Sequence, residues 1–95
     1  MAGQMEVLSK EELKTRIGKR KAGERLDFRE RELEPMDLSG YDLSNMDFTL
    51  SSFQNVVLNG TDFSGSSVEN ALFDGCPLRG AVFLNACMKT ASFRH

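Results

Sequence analysis

The sequence predicts a single-domain solenoid, a chain that coils repeatedly in one direction. The first observation is that an apolar residue returns every five positions from residue 28 to residue 93. The second is that small side chains dominate two positions before these residues in the second half of the chain. The third is that Gly or Asn recurs two positions after them, where a turn with positive φ is expected. A fixed internal period is typical of repeat proteins.

A period of five fits neither an α-helix nor a β-strand. Five residues advance a helix by about 500°, so successive apolar residues would drift around its axis. In a strand, an odd step sends successive side chains to opposite faces. The apolar residues can therefore all face inward only if the backbone turns about once per repeat. A chain that does so buries each apolar row against the next coil.

Individual repeats resemble those of the pentapeptide-repeat family, whose motif is roughly Ala-Asp/Asn-Leu-X-X. The resemblance is carried by tracts such as residues 41–45 (YDLSN), 61–65 (TDFSG) and 81–85 (AVFLN), and it covers residues 26–95. It implies an all-β solenoid, a right-handed four-sided β-helix with one repeat per side and about 3–3.5 coils. Residues twenty positions apart would then stack in columns.

The predicted structural core consists of central residues of these repeats. Its members are Leu38, Leu43, Phe48, Phe53, Leu58, Phe63, Val68, Phe73, Leu78 and Phe83. At a spacing of twenty, Leu stacks on Leu and Phe stacks on Phe in several columns, and close packing requires such matching of size. The columns therefore support a coil of four repeats.

Residues 1–25 are predicted to form an N-terminal tail and a capping helix over about residues 10–22. Ser9 and Glu12 have the spacing of a capping box, and Leu8 and Leu13 that of a hydrophobic staple. Gly23 is a plausible stop, and residues 1–7 are expected to be frayed. Because the terminal coil of a solenoid needs a cover, we expect the helix to lie on the first coil.

Residues 26–95 form the repeat region, and its first part departs from the pattern. Large residues stand at positions where Ala or Ser is expected; they are Leu26, Arg31, Met36, Tyr41 and Met46. We expect Arg31 to turn outward, because an unpaired buried charge is costly. Met36, Tyr41 and Met46 should pack under the helix, and the regular coil should begin near residue 36.

The charged and apolar residues exclude several classes of partner. Residues 1–35 carry nine Lys and Arg and eight Asp and Glu, a balance of +1. Interleaved acids and the absence of aromatic residues among the basic ones argue against nucleic-acid binding. No apolar run approaches the ~20 residues of a membrane span, and no signal peptide is evident. We expect a cytoplasmic protein or a component of a larger assembly such as a phage particle.

The sequence predicts no enzyme, cofactor, metal site or small-molecule substrate. Cys76 and Cys87 belong to different sides of the coil, which favours free thiols over a disulfide. Together with His95, expected to be a solvated end residue, they supply too few ligands for a metal. The recurring aspartates follow the period of the fold, so we interpret them as hydrogen-bond acceptors in turns rather than acid–base pairs. There is no phosphate-binding glycine loop and no nucleophile motif.

Two surfaces are candidates for binding. Outward positions become apolar late in the chain, and they define a candidate partner surface of Val57, Leu72, Pro77, Val82 and Leu84. Ordinary scatter of exposed apolar residues is the alternative. Only Arg94 and His95 follow Phe93, so Met88 and Phe93 form a candidate dimer end, covered by a second copy about a two-fold axis or by another protein.

We therefore predict a non-catalytic protein-interaction or structural module. It would bind through its outer faces and its C-terminal coil. The alternative is a DNA mimic, because the resemblance brings in family members that inhibit type II topoisomerases. Residues 36–95 carry three basic and six acidic residues, a net −3. This net charge gives a much lower charge density than that of duplex DNA, which carries one charge per ~1.7 Å.

Overall fold

Parallel pairing between residues twenty positions apart sets the architecture. The computed structural model describes residues 5–94, and in it isolated parallel bridges join Asp27 to Asp47 and Asp47 to Ser67, with equivalent bridges on the other sides. Each central residue from Phe28 to Phe73 donates its N–H to the next coil, as Phe28 does to Asp47 O at 2.8 Å. A turn follows every five residues, so twenty residues complete one coil of four sides.

Positive φ angles mark the turns, as the Gly and Asn pattern predicted. They occur at Gly40, Gly60, Gly65, Gly75, Gly80, Asn45, Asn55, Asn70 and Asn85. Glu30, Leu50 and Thr90 also have positive φ, and they occupy the same column as Asn70. The pattern did not reveal these three positions. Their conformation follows from the coil, because the register of the neighbouring coils requires a turn there.

The four sides are labelled A to D in chain order by their central residues. Side A contains Phe28, Phe48, Val68 and Met88; side B contains Leu33, Phe53, Phe73 and Phe93; side C contains Leu38, Leu58 and Leu78; side D contains Leu43, Phe63 and Phe83. Within a column the rings stack, as Phe53 and Phe73 do with centroids 4.6 Å apart. Between columns they meet edge to face, as Phe53 and Phe63 do at 5.6 Å.

The predicted core residues up to Phe73 are buried, and the last two are not fully covered. Leu78 and Phe83 are half-buried because, among the described residues, no further coil packs beyond theirs. Phe63 stacks on Phe83 at 5.1 Å, so the column continues into this coil.

Hydroxyl groups at the inward small positions link successive coils. Ser66 Oγ donates to Leu43 O at 2.6 Å and accepts the N–H of Met46 at 2.9 Å. Ser51 and Thr61 donate in the same way to a carbonyl 23 positions earlier. These buried polar groups are therefore hydrogen-bonded, as burial requires.

A short strand that the sequence did not reveal lies on the first coil. Strand β1 (Glu6–Leu8) pairs in parallel with strand β2 (Arg31–Leu33), with Leu8 opposite Leu33. The expectation of a frayed segment up to residue 7 is therefore wrong for its described part, while residues 1–4 lie outside the described residues. The physical reason is that the edge of β2 would otherwise be open, and β1 pairs with it.

Helix α1 (Lys10–Gly18) is shorter than predicted. It begins as expected, with Ser9 Oγ accepting the N–H of Glu12 at 3.1 Å. It ends at Gly18, where the capping residue Lys19 donates its N–H to Thr15 O. The predicted end at about residue 22 was wrong because the low helix propensity of Gly18 outweighs the residues that follow. Leu13 is fully buried and belongs to the core cluster with Leu8.

Arg31 points into the N-terminal region, so the expectation that it turns outward is wrong. Its guanidinium donates to both carboxylate oxygens of Glu12, at 2.7 and 3.0 Å, and to Val7 O at 2.9 Å. Only 12% of its side chain is exposed. A buried guanidinium is tolerated here because Glu12, predicted to complete the capping box, pairs with it instead.

The paired register also begins earlier than the predicted residue 36, with the bridge from Asp27 to Asp47. Large residues fit the inward small positions of the first coil because β1 and α1, rather than another coil, lie beyond it. Met36 and Tyr41 of the first coil are half-buried against the core, and Met46 of the second coil is fully buried.

Candidate functional site

Five recurring aspartates make the same local hydrogen bond. In each, Oδ1 accepts the N–H of the residue two positions later, at 2.8–3.1 Å; they are Asp27, Asp37, Asp42, Asp47 and Asp62. This confirms the interpretation of these residues as structural acceptors.

The pKa values of these carboxyl groups agree with a structural role. The Arg29 guanidinium, by hydrogen bonding to Asp27, lowers the pKa of that carboxyl to about 2. The hydroxyl of Ser44 likewise holds the pKa of Asp42 below its usual value. A general acid working near neutral pH would need a raised pKa. These two carboxyl groups are therefore unsuited to that work.

The candidate partner surface is solvent-exposed at most of its positions. Leu84 is 66% exposed, Val82 43% and Leu72 39%. Pro77 is exposed and Val57 half-buried. Exposed apolar side chains of this size stand out in a protein whose other outward positions are mostly polar.

These five residues do not form one surface. Val82 and Leu84 flank Phe83 on side D, and Val57 and Pro77 are outward residues of side C, which adjoins it. Leu72 lies on side B, opposite side D. A single partner could contact sides C and D together, but Leu72 belongs to another part of the surface.

The candidate dimer end is the last described coil, residues 75–94. Met88 is 37% exposed and Phe93 half-buried, as are the neighbouring core residues. Within residues 5–94, nothing packs on the far side of this coil. It therefore presents the partly open end of the hydrophobic core.

An open groove of about 540 Å³ lies on side C, lined by residues 75–79 and Asn59. It forms where the pairing pattern is interrupted. Val57 donates its N–H to Met36 O at 2.9 Å, but Pro77, twenty positions later, has no N–H to donate. Side C is consequently less tightly paired here than elsewhere.

Both cysteines are free thiols. Cys76 is half-buried and its Sγ donates to Phe53 O at 2.7 Å, while burial raises the pKa of its thiol. Cys87 is exposed. Within residues 5–94, no group of three or more His, Cys, Asp or Glu side chains is placed to hold a metal ion. His95 lies outside the described residues.

Charge is segregated along the coil axis. Residues 36–74 contain six Asp and Glu and no Lys or Arg, whereas residues 75–94 contain Arg79, Lys89 and Arg94 and no acid. The net charge of −3 over residues 36–95 conceals this division. Counting charge coil by coil would have revealed it.

The fold and the repeat pattern identify the family. The family model for pentapeptide repeats matches residues 37–70 and 57–94, more than half of the chain. The chain therefore belongs to the pentapeptide-repeat family, whose members form a right-handed β-helix. The comparison with curated proteins gave no match.

Solved structures of pentapeptide-repeat proteins are similar to this chain, and the first described here shares its fold. A pentapeptide-repeat protein from the thylakoid lumen of Arabidopsis thaliana is 25% identical, with a TM-score of 0.55. The match covers 68% of this chain and 49% of that one, so the chain spans about half the length of that relative. A pentapeptide-repeat protein from Nostoc PCC 7120 is 23% identical over 98% of this chain and 90% of its own, with a TM-score of 0.42.

In the part of the chain that the structure describes, no helix is long and apolar enough to cross a membrane.

Proposed function

We propose that this chain is a non-catalytic protein-interaction module that binds through side D and the C-terminal coil. The observation that carries the proposal is the exposure of Val82 and Leu84 beside the partly open end of the core. Apolar side chains in such a position gain free energy when a partner covers them. Family membership supports the general part of this proposal, that the chain is an interaction or structural module. Pentapeptide-repeat proteins are generally such modules rather than enzymes.

The test compares two opposite sides of the coil. The double variant Val82→Asp, Leu84→Asp places charge on side D, and Leu72→Asp places it on side B at similar exposure. Each variant and the wild type would be expressed in the native cells, cross-linked, and analysed by quantitative mass spectrometry. We expect a defined partner to be lost at least about tenfold from the double variant and kept by Leu72→Asp, because buried charge is costly.

Equal recovery of every cross-linked protein by the double variant and the wild type would refute a binding role for side D. Circular dichroism supplies the folding control. If the double variant unfolds, Val82 and Leu84 are structural and the proposed surface is wrong.

The homodimer at Met88 and Phe93 stays a prediction. Light scattering over a range of protein concentrations, for the wild type and Phe93→Asp, tests it directly. A dimer that becomes monomeric on substitution would place the contact at the last coil.

The acidic residues of the segment 36–74 favour a second candidate function, that of a DNA mimic. Six acids lie in residues 36–74, which span about two coils or ~10 Å at ~4.8 Å per coil. Locally this approaches the charge density of duplex DNA, but it continues for only a short length. Inhibition of a type II topoisomerase in a supercoiling assay, abolished by Asp42→Asn with Asp62→Asn, would favour the mimic over the interaction module.

A further inference from the structure

We propose that the corner between sides A and B binds a short segment of another protein, one that carries arginine beside an aliphatic residue. The A–B corner surface consists of Leu50 and Leu72, together with Glu30 and Glu69 next to Leu50. It lies on a different part of the coil from side D, so the partner is a second one, beyond the function proposed above. The inference follows from the strain at Leu50, the charge around it and an arginine bound at another corner of this chain.

Leu50 stands at a turn position that suits its side chain poorly. Its φ is +65°, in the left-handed region that residues other than Gly, Asn and Asp seldom adopt. Its side chain is 47% exposed and lies outside the core cluster, so packing within the described fold does not offset the strain. The equivalent turn of the next coil has Asn70, which tolerates this conformation. Strain of this kind often marks a position used for binding.

Leu72 adds a second exposed apolar side chain to the same surface. Its N–H donates at 3.0 Å to the carbonyl of Ser51, the residue that follows Leu50, and it forms a parallel bridge with Ser52. The two leucines therefore lie on adjacent coils, two positions apart around the corner. A partner that covers both would remove apolar surface from water.

Two acids flank Leu50 on the neighbouring coils. Glu30 is exposed on the preceding coil, where its N–H donates to Thr49 O at 2.9 Å. Glu69 lies on the following coil, where its carbonyl accepts the N–H of Leu50 at 2.8 Å. Within the described part of the chain neither carboxylate forms an ion pair, although Lys89 follows Glu69 in its column. Both carboxylates are therefore available to a cationic partner.

The wider surface of sides A and B is also acidic. Its first three coils, residues 26–35, 46–55 and 66–75, contain seven Asp and Glu but only two basic residues, Arg29 and Arg31. Each of these arginines already pairs with an acid, at 2.9 and 2.7 Å. A cationic partner would be attracted to this surface and oriented by it, whereas nucleic acids and anionic membranes would be repelled.

This chain itself shows how a corner of the coil binds an arginine. Arg25 Nη1 donates to the carbonyl of the turn residue Gly65 at 3.0 Å. The carbonyls of Leu50 and Asn70 occupy the same position at the A–B corner, and among the described residues they accept no backbone N–H. A partner's guanidinium could bond to them while Glu30 and Glu69 supply the opposite charge, and hydrogen bonds assisted by charge are the stronger kind.

The basic N-terminal region of a second copy fits this surface less well. Arg20 and Arg25 already donate to carbonyls of their own coils. Leu13 is buried and Ile17 packs against the core, so α1 has no aliphatic side chain left to cover the leucines. We therefore assign the surface to a segment of a different protein.

The experiment uses the full 95-residue chain and a fluorescent peptide of three Arg-Leu pairs. Binding is measured by fluorescence anisotropy, with matched peptides of Arg-Ser pairs and of Glu-Leu pairs as competitors. Amide chemical shifts in NMR spectra locate the contact, because Leu50, Asn70 and Leu72 report the A–B corner and Leu84 reports side D.

Two variants test the apolar and the charged parts of the surface separately. The first is Leu50→Asn with Leu72→Ser, residue types that the next coil carries at the equivalent positions. Its control is Val82→Ser with Leu84→Asn, at exposed apolar positions of side D. The second is Glu30→Gln with Glu69→Gln, and its control, Glu11→Gln with Glu24→Gln, changes the charge equally at exposed positions of the N-terminal region.

We expect the Arg-Leu peptide to bind and to shift the amides of the A–B corner but not that of Leu84. The leucine variant should lose at least about fivefold in affinity, and the glutamate variant at least about threefold at low salt, with a smaller effect at high salt. Each control should change the affinity by less than about twofold. Leu50→Asn alone should weaken binding while the midpoint of thermal unfolding rises, so unfolding cannot explain the loss.

Any of five results would overturn the proposal. They are no binding at millimolar concentration, equal affinity for the Arg-Ser or the Glu-Leu peptide, shifts confined to side D, unchanged affinity in the leucine variant, and shifts of the corner amides with protein concentration in the absence of peptide. The last would assign the surface to a second copy. Loss of a partner from the side D variant is a separate measurement, so the two proposals fail separately.

Discussion

The ion pair between Arg31 and Glu12 should be the main polar link between the N-terminal region and the first coil. The guanidinium contacts α1 through Glu12 and β1 through Val7 O, while Arg31 itself belongs to β2. We would replace Arg31 by Met and Glu12 by Gln, singly and together, and measure the coupling free energy in a double-mutant cycle.

The structure sets the expected magnitude. Hydrogen bonds to charged groups contribute about 1.5–3 kcal/mol when buried, and exposed ion pairs about 0.2–1 kcal/mol. Arg31 is 12% exposed but Glu12 is 38% exposed, so the pair falls between these cases. We expect a coupling of about 1–2 kcal/mol, and a total loss of about 2–3 kcal/mol for Arg31→Met because Val7 O also loses its donor.

The chain offers a matched control in Asp27 and Arg29. Their side chains also form two short contacts, both 2.9 Å, but are 56% and 58% exposed. The same cycle on this pair should give a coupling below about 1 kcal/mol, as for other exposed ion pairs.

The assay must detect local as well as global unfolding, because β1 and α1 could detach while the coils persist. Urea unfolding by circular dichroism reports the whole chain, and native-state exchange of the Leu13 amide reports α1, where it donates to Ser9 O. The Arg31 hydrogen bond lowers the pKa of Glu12. The coupling is therefore present above the unfolded pKa of about 4.3 and is lost as pH falls through the lower folded value. A coupling near zero at pH 7, or equal to that of the control pair, would refute the reasoning.

Three further predictions concern the coils. Leu50 has φ of +65° and is 47% exposed. Because Asn tolerates positive φ better than Leu, Leu50→Asn should raise stability by about 0.5–1 kcal/mol in thermal unfolding. The control Leu84→Asn, at an exposed position without positive φ, should leave stability nearly unchanged. If Leu50→Asn lowers stability instead, the packing of the leucine side chain contributes more than the relief of backbone strain. Ser66→Ala should cost about 1–3 kcal/mol in urea unfolding, because Leu43 O and the Met46 N–H lose a buried partner; no measurable loss would mean that the backbone relaxes to satisfy both. Asp42 has a lowered pKa, so its contribution is present above about pH 4 and is lost as pH falls below it. Asp42→Asn should keep the bond to Ser44 and flatten this acid dependence, whereas an unchanged pH profile would contradict the role of the carboxylate.

The repeat region could be predicted from the sequence because one rule is applied many times. The stacked Phe columns and the turns at Gly and Asn recur at a fixed spacing, so each repeat supports the interpretation of the others. Leu50 shows the limit of this reasoning. Its turn is set by the neighbouring coils, and nothing in its own side chain indicates positive φ.

The N-terminal region was harder to predict because each of its contacts occurs once. Strand β1 has three residues and no repeat, and its pairing depends on an edge that exists only after the first coil has formed. Arg31 was expected to face solvent because its partner could not be identified among eight acids in the first 35 residues. Single long-range contacts of this kind leave no periodic signal in a sequence.

The outward residues at equivalent positions of side D change from aspartate to valine in the last coil. At Asp42 and Asp62 the carboxylate accepts the N–H two residues later, at 3.0 and 2.8 Å. The third residue of this column is Val82, which cannot accept, and the N–H of Leu84 has no acceptor among the described residues. The last coil thus lacks a stabilising hydrogen bond and instead exposes two apolar side chains. Because the fold gains nothing from this change, the change supports the proposal that a partner contacts side D.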